Sequence, residues 1–318
     1  MNDSSLVQIV VPRVCDIFCR PFTLCAAISI LSLALLNVNG ESIEEAQLFV
    51  LQSDGTQLRR LTFEPETSYR SPTWSSDGKW LAYSRHRLIN GLRPGHICVS
   101  NVEGTEIRDV GPGELPYWSP DIQHIAFASV VDGHPTTDVA IMTTDGRNRT
   151  PLATAATNPR WSPDGRRLAL IDFQVKNISL LDVVTMERQS CLPDGWQPDR
   201  GLSWSKDGRS ICFRLPGYRD EPQSLVVCDI RDQAPRVLLR GHLGNSTAWS
   251  NDGQSILVSL RANEASPYQM MLVPVSGSGT PTAIPGQPID RHNDDLDWSA
   301  NGRQIVFASQ AFQSGPTK

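Results

Sequence analysis

The sequence predicts an all-β fold, a six-bladed β-propeller of four-stranded blades, and three observations carry this prediction. A motif of the type Trp-Ser-x-Asp-Gly recurs six times, and its successive Trp residues are 44, 43, 43, 45 and 49 positions apart. An apolar run follows each motif, and a second apolar hairpin separates most motifs from the next. The chain is also rich in turn residues, with 23 Gly and 23 Pro among its 318 residues. Four short strands in a unit of about 44 residues are typical of a propeller blade.

Each copy of the motif predicts a tight turn between two strands. An Asp accepts hydrogen bonds from nearby backbone amides, a Gly tolerates positive φ, and the Ser hydroxyl caps the same turn. Because the Trp recurs in every unit, it is predicted to be a packing anchor and not a ligand platform. The predicted structural anchors are Trp74, Trp118, Trp161, Trp204, Trp249 and Trp298, with Asp77, Asp121, Asp164, Asp207, Asp252 and Asn301 in the turns. Ile122 replaces the turn glycine of the second copy, which predicts a more strained or a longer turn there.

The two ends of the repeat region predict how the ring closes. Residues 46–62 read as a hairpin without a partner, and no second hairpin follows the last motif. The N-terminal pair is therefore expected to supply the two outer strands of the blade whose inner strands lie in 295–309. This exchange would hide sheet edges that an open array exposes. We expect the propeller over residues 41–310 and a flexible tail over 311–318.

Residues 1–40 have the composition of a targeting segment. Arg13 and Arg20 precede an apolar run of about 15 residues, which is shorter than the roughly 20 residues that a spanning helix needs. Val38 and Gly40 supply small residues for cleavage after Gly40. We expect a signal peptide and a periplasmic or secreted protein; the alternative is an uncleaved N-terminal membrane anchor.

Charge and cysteine content exclude some classes of function. A net charge of −5 disfavours an electrostatic nucleic-acid binder. The cysteines beyond residue 40 show neither a C-x-x-C pair nor Cys/His ligand spacing, so no zinc site and no cofactor is expected. Cys212 and Cys228 are either buried thiols or a disulfide across one hairpin. The protein is expected to be monomeric.

The motif at Trp161, Trp-Ser-Pro-Asp-Gly followed by an apolar strand, and the Asp-Gly-x5-Leu-Thr segment from Asp54 to Thr62 resemble the WD40-like (PD40) repeat of the TolB family. The resemblance covers about residues 46–309 and implies a propeller. In TolB proper, a periplasmic partner of the Tol–Pal envelope system, an α/β domain precedes the propeller. Here only Glu41–Ala46 separate the predicted cleavage site from the first strand, so we expect a TolB-like propeller without that domain.

The same repeats resemble the propellers of prolyl-oligopeptidase-type peptidases, whose hydrolase domain carries a Gly-x-Ser-x-Gly elbow. That motif does not occur in the sequence, so no enzymatic activity is predicted. The chain is instead expected to be a non-enzymatic exported scaffold that binds a protein or peptide partner in the cell envelope.

The loops that enter the innermost strands are expected to gather at one mouth of the central channel. They predict a partner-binding rim of Tyr69, Arg70, Glu114, Asn158, Trp196, Arg200, Asn245, His292, Asp294 and Asp295. Trp196 would be its exposed aromatic anchor. One alternative is a solvated rim without a ligand. The other is a metal-dependent hydrolase or lactonase, in which Glu114, Asn158, His292, Asp294 and Asp295 surround one cation.

Overall fold

The computed structural model describes residues 45–89, 94–130, 137–217 and 221–312. The predicted targeting segment, residues 1–40, lies outside these ranges, as does the tail beyond Phe312. The secondary structure of the described residues consists of β-strands joined by turns and loops. Within them, no helix is long and apolar enough to cross a membrane.

The strands follow one another along the chain at short intervals. The first ten are β1 (Gln47–Gln52), β2 (Arg59–Arg60), β3 (Thr67–Trp74), β4 (Trp80–Arg87), β5 (Gly95–Asn101), β6 (Ile107–Pro112), β7 (Glu114–Trp118), β8 (His124–Val130), β9 (Thr137–Thr143) and β10 (Thr150–Ala153). The next seven are β11 (Ala156–Trp161), β12 (Arg167–Asp172), β13 (Asn177–Asp182), β14 (Arg188–Ser190), β15 (Arg200–Trp204), β16 (Ser210–Leu215) and β17 (Gln223–Asp229). The last six are β18 (Ala234–Trp249), β19 (Ser255–Arg261), β20 (Gln269–Pro274), β21 (Thr282–Ala283), β22 (Arg291–Trp298) and β23 (Gln304–Ala311).

These strands form an all-β propeller in which neighbouring strands are antiparallel. Three sheets contain four consecutive strands each, β3 to β6, β7 to β10 and β11 to β14, and a fourth has the order β2-β1-β23-β22. The remaining sheet has seven strands, β15 to β21. Where the sequence predicted four-stranded blades, this part of the chain therefore forms one continuous sheet. No loop interrupts β18, whose residues 234–241 pair with β17 and whose residues 242–249 pair with β19.

The predicted closure is confirmed by the pairing of β1 with β23. The register runs from Gln47 opposite Ser309 to Gln52 opposite Gln304. The N-terminal hairpin thereby completes a sheet begun by the last Trp motif, and the free edge is reduced to the two-residue strand β2. A short edge strand offers little template for pairing with another chain.

The strands that end at a motif Trp line the centre of the propeller. β3, β7, β11, β15, the second half of β18 and β22 contact one another in this order, and β22 also contacts β3. We call them the inner strands and the space that they enclose the channel. The end at which they begin is the mouth, and the opposite end, where each runs into a Trp-Ser turn, is the turn end.

The six turns repeat one set of hydrogen bonds. In the first, Ser75 Oγ donates to Asp77 Oδ1 at 2.6 Å, and the same carboxylate oxygen accepts from the Lys79 amide at 3.1 Å. The Ser75 hydroxyl in turn accepts from the amide of Trp80 at 3.0 Å. Equivalent bonds form in the other five copies, with Asn301 as acceptor in the last. The turn chemistry read from the motif is therefore confirmed.

Ile122 adopts the conformation of the glycine that it replaces. Its φ is 62°, against 69° at Gly78, and its amide donates to the Ser119 carbonyl at 3.0 Å as the Gly78 amide does to Ser75. Of the two predicted alternatives, the strained turn is right and the longer turn is wrong. A β-branched residue at positive φ is conformationally costly.

The motif Trp residues pack between successive sheets. Trp161, for example, lies in a cluster with Ala126 and Val139 of the preceding sheet and Leu168 and Leu170 of its own. The indoles of the first four motifs are buried, and those of Trp249 and Trp298 are half-buried. Their role as packing anchors follows from this placement, because a large buried aromatic side chain contributes several kcal/mol of hydrophobic stabilisation, roughly 4–6.

The four described cysteines are buried and free. Cys212 lies opposite Val227, and Cys228 lies opposite Ile211, in the β16–β17 pair. The two sulfur atoms therefore belong to opposite faces of the sheet and pack into different clusters. The alternative of a disulfide across this hairpin is wrong, and buried thiols are confirmed.

Candidate functional site

The inner strands bulge at the same point, three residues before the motif Trp. A register shift interrupts the pairing of every inner strand near this position. In five of the six strands the residue there has a positive φ: Ser71 (51°), Leu115 (53°), Asn158 (55°), Gly201 (64°) and Asp295 (49°). A bulge re-aims the side chains around it and is frequent beside functional sites. It makes the mouth half of each inner strand irregular, while the turn half stays regular.

The carboxylates of β22 tie this strand to its neighbours in the ring. Asp297 Oδ2 accepts from the Trp74 amide of β3 at 2.8 Å. Both oxygens of Asp294 accept from the Asn245 amide of β18 at 3.1 Å. Asn245 Oδ1 accepts in turn from Arg200 Nη1 of β15 at 3.1 Å. Polar side chains therefore link four successive inner strands at the channel wall.

Two further arginines reach the same region from other inner strands. Arg70 Nη1 of β3 lies 4.0 Å from Asp295 Oδ2, and the Asp295 side chain is almost buried. Arg160, the residue before Trp161 on β11, places its guanidinium 4.7 Å from the centre of the Tyr117 ring. The channel thus holds positive and negative groups on different inner strands.

Burial shifts the titration of the β22 carboxylates. It raises the pKa of Asp297 to about 6, against the opposing effect of the hydrogen bonds that this carboxylate accepts. Burial and the neighbouring carboxylate of Asp295 also raise the pKa of Asp294. At the turn end the direction is opposite: the Ser162 hydroxyl lowers the pKa of Asp164 by hydrogen bonding to its ionised form.

The predicted rim residues do not all reach the channel. Those on the inner strands at the bulge are Arg70, Asn158, Arg200, Asn245, Asp294 and Asp295. Tyr69 does not, because it is 4% exposed and packs edge-on against Tyr83, with ring centroids 5.8 Å apart. Its place in the rim is a wrong prediction: β3 turns this side chain into the core beside Trp74.

Two side chains predicted to contact a partner at the mouth, Trp196 and His292, instead pack against other residues of this chain. Trp196 is half-buried and packs edge-on against Phe213 at 6.5 Å, so it is not the exposed anchor that the sequence predicted. His292 lies between Tyr268 and Phe312, at 5.4 and 4.9 Å, and its Nδ1 accepts from the Tyr268 amide. Burial lowers the pKa of His292.

The five ligands predicted for a cation are not brought together. Among the described residues, no group of three or more His, Cys, Asp or Glu side chains could hold a metal ion. Glu114 Oε1 is 3.9 Å from His86 Nδ1, whereas Asp294 is engaged with the amide of Asn245. Within the described ranges, the five residues predicted as ligands therefore do not form one ligand set.

The mouth carries large apolar side chains that are exposed. Phe63 and Ile289 lie in the loops that enter β3 and β22 and are 69% and 78% exposed. Ile89 and Val175, also exposed, follow strands whose last residues pair with the first residues of β3 and β11, which places them at the same end. Apolar side chains around a polar channel are typical of a surface that binds a protein or peptide.

Sequence reasoning missed the channel residues directly before the motif Trp, among them Tyr117, Arg160 and Asp297. The rim was predicted from the loops at the mouth, and the strands were predicted to be core. A usable signal was present, because Pro72, Pro116 and Pro159 stand two residues before their Trp. A proline lacks the amide that a central strand needs, so it marks the inner strand as an edge with one side open to the channel.

Comparison with known proteins supports the propeller. The family model described as the TolB beta propeller domain matches residues 96–316. A solved structure from Agrobacterium tumefaciens with a provisional TolB assignment aligns with a TM-score of 0.67 and 18% identity over 86% of this chain and all of that one. TolB from Acinetobacter baumannii aligns with a TM-score of 0.60 and 15% identity over 86% of this chain and 64% of that one. Likenesses at such low identity establish the fold alone.

A curated relative overturns the expectation that the chain is not an enzyme. The uncharacterised peptidase YuxL of Bacillus subtilis strain 168 is 31% identical over 212 residues, which are 62% of this chain and 30% of YuxL. The chain thus spans about a third of that relative's length. A puromycin hydrolase, with a TM-score of 0.53 and 15% identity over 82% of this chain and 45% of that one, and an oligogalacturonate lyase bound to manganese, with a TM-score of 0.50, share the fold. The absence of a Gly-x-Ser-x-Gly motif was therefore too narrow a reason to exclude catalysis.

Proposed function

Because this chain belongs to the TolB beta propeller domain family, we propose that it binds a peptide or protein partner at the mouth of its channel. The observation that carries the proposal is the contrast along the inner strands. Their turn ends repeat one structure in six copies, whereas their mouth ends present a different polar side chain in nearly every copy. Exposed Phe63 and Ile289 beside this polar wall supply the apolar contacts that anchor a partner.

A photo-crosslinking side chain placed at residue 63 or 289 tests this proposal in the native host. We expect adducts with a protein at both positions, identified by mass spectrometry. Val184, which is 83% exposed in the β13–β14 turn, is the matched control and should give no adduct. Adducts at position 184 alone, or at none of the three positions, would contradict a binding surface at the mouth.

We further propose that residues 1–40 direct the chain out of the cytoplasm and that the partner belongs to the cell envelope. The basic and apolar layout of this segment supports the proposal. Fusion of residues 1–40 to a reporter enzyme that matures only after export is expected to give active reporter. N-terminal sequencing then separates a cleaved signal, with Glu41 first, from a retained anchor.

We also propose that the propeller has six blades, with the seven-stranded sheet counted as two. This count is supported by the ring of six inner strands and by six hydrophobic clusters found among the described residues. A crystal structure that placed five or seven blades around the channel would contradict it.

Peptide cleavage is a second candidate function, favoured by the similarity to a protein named as a peptidase. In this case the mouth would receive the peptide that is cleaved. Purified protein incubated with fluorogenic peptides of varied length would release product above background. Absence of turnover by the full chain under conditions in which a peptide binds would leave binding as the function.

A further inference from the structure

Arg160 is a guanidinium whose bonding capacity is largely unused. It is half-buried on β11 and rests on the Tyr117 ring. Its Nη1 donates to the Pro159 carbonyl at 2.9 Å, and among the described residues this is its one hydrogen bond. No described carboxylate lies within ion-pair distance of it. Since arginine stays charged and presents several N–H donors in one plane, such a side chain suits a carboxylate from a ligand.

The neighbours of Arg160 share this lack of partners. Asn158, two residues earlier at the bulge, is 6% exposed, and its Oδ1 is buried without a hydrogen-bond partner. Among the described residues, the Tyr117 hydroxyl has no hydrogen bond either. Buried polar groups in folded proteins are nearly always paired. The unpaired Asn158 oxygen and Tyr117 hydroxyl, together with the single hydrogen bond of Arg160, therefore indicate a place where a polar ligand completes the site.

The wall opposite Arg160 carries three carboxylates. In the ring of inner strands β11 is three steps from β22 in either direction, so the two strands face each other across the channel. β22 contributes Asp294, Asp295 and Asp297, and the arginines that act on these carboxylates from other strands are Arg70, Arg160 and Arg200. A ligand carboxylate on Arg160 would leave the three carboxylates with two arginines, and therefore with room for one further positive group.

We propose that the channel binds the end of a peptide whose last residue is lysine or arginine. Its α-carboxylate lies on Arg160, with the Tyr117 hydroxyl as an additional donor, and its basic side chain points to the carboxylates of β22. A C-terminal lysine or arginine carries a negative α-carboxylate and a positive side chain on one residue, and so matches Arg160 on one wall of the channel and the carboxylates on the other. This inference rests on the proposed binding of peptides at the mouth.

Fluorescence anisotropy with labelled peptides tests the inference on the full chain. The probes are fluorescein-labelled Gly-Ala-Ala-Ala-Lys with a free carboxylate, the same peptide as its C-terminal amide, and Gly-Ala-Ala-Ala-Ala with a free carboxylate. An internal-acid peptide, Gly-Ala-Glu-Ala-Lys amide, separates an α-carboxylate from a side-chain carboxylate. We expect the first peptide to bind about ten- to a hundredfold more tightly than any other, because each loses one charged contact.

Variants assign the effect to the proposed side chains. Arg160→Met keeps the packing against Tyr117 but removes the charge, and it should abolish the preference for the free carboxylate. Tyr117→Phe removes only the hydroxyl and should weaken binding of the acid peptide several-fold while leaving the amide unaffected. Arg209→Met is the matched control at the turn end, where the Arg209 side chain is 82% exposed, and it should bind as the wild type does.

The outcomes separate this inference from the proposed function. Equal binding of acid and amide peptides, with crosslinks at residues 63 and 289 intact, would overturn the carboxylate site and leave binding at the mouth standing. Tighter binding of the Glu-containing amide would overturn the terminal-residue assignment. Binding of an oligogalacturonate in place of every peptide would overturn it as well. Failure of all peptides together with loss of the crosslinks would overturn both.

Discussion

At the turn end, the inner strands run into six hairpins that share the same hydroxyl-to-carboxylate and amide-to-carboxylate hydrogen bonds, with one Asn as the variation. Four residues before the motif Trp, near the mouth, the same strands carry Arg70, Glu114, Thr157, Arg200, Asn245 and Asp294. Both regions lie on the same six inner strands of the same propeller. A residue that every copy needs is needed by the fold, whereas a residue that differs from copy to copy is free to serve a ligand. The comparison thus separates scaffold from site within a repeat protein.

The largest expected effect comes from removing an anchor at the turn end. Trp161→Ala deletes a buried indole between two sheets and is expected to lower the free energy of unfolding by about 3–5 kcal/mol. Urea denaturation followed by circular dichroism measures the loss. Arg160→Met, one residue earlier but facing the channel, should change stability by less than about 1 kcal/mol. Equal losses in the two variants would break the distinction between scaffold and site.

A smaller loss is expected when a turn glycine is replaced. Gly165 has φ 71°, and a Cβ built on it would meet nothing closer than 3.9 Å, so space is available and backbone strain alone opposes a side chain. Gly165→Ile should therefore lower the free energy of unfolding by about 1–3 kcal/mol. Gly165→Asn is the control, because Asn tolerates positive φ and should cost clearly less. Equal costs for both variants would show that the loss arises from something other than φ.

The two regions are expected to respond to pH in opposite directions. The pKa of Asp297 is raised in the folded state. Its contribution to the free energy of unfolding is therefore fully present below the pKa of an unfolded aspartate, about 4, and is lost as the pH rises through about 6. The turn aspartates, whose pKa values are lowered, contribute stability above that unfolded pKa and lose it as the pH falls through their folded pKa values.

Asp297→Asn isolates the channel contribution. The amide can still accept from the Trp74 amide, so the hydrogen bond is preserved while the titration is removed. Between pH 4.5 and 7.5 the wild type should lose on the order of 1 kcal/mol more stability than this variant does. Glu106→Gln, an exposed change, serves as the control and should follow the wild type. A variant with the wild-type pH dependence would refute the assignment to Asp297.

The sequence predicted the scaffold better than the site, for a physical reason. The turn depends on contacts within five residues, such as that between Ser162 and Asp164. Its hydrogen bonds can therefore be predicted from any one copy of the motif. The closure of β1 on β23 was equally accessible, because unpaired hairpins at both ends leave one economical solution. The channel is formed by residues of different strands, such as Arg160 and Tyr117. Only the packing of the inner strands into a ring brings these residues into contact.

The bulges and the face that each side chain takes explain part of the errors at the site. Tyr69 and Arg70 lie in the regular part of β3, where alternation turns Tyr69 into the core, and the bulge comes only between Arg70 and Thr73. The residue types at the bulge differ too much to form a motif, since Leu115 and Asn158 adopt the same positive φ. The sequence also did not predict that β18 is continuous, because no local pattern shows that Gly241 lies within a strand and not in a loop.

The smallest expected effect is a gain, and it concerns the one turn that departs from the scaffold rule. Ile122→Gly restores the residue that suits φ 62°, which relieves about 1–2 kcal/mol of backbone strain. The gain is offset because Ile122 packs against the cluster around Trp118 and because glycine gives the unfolded chain more freedom. A net stabilisation of at most about 1 kcal/mol is therefore expected, seen as a small rise in Tm. Ile122→Ala loses the same packing without relieving the strain and should lower Tm. If Ile122→Gly also lowered Tm, packing would outweigh conformation at this turn, and the scaffold would tolerate an apolar side chain where the other copies require Gly.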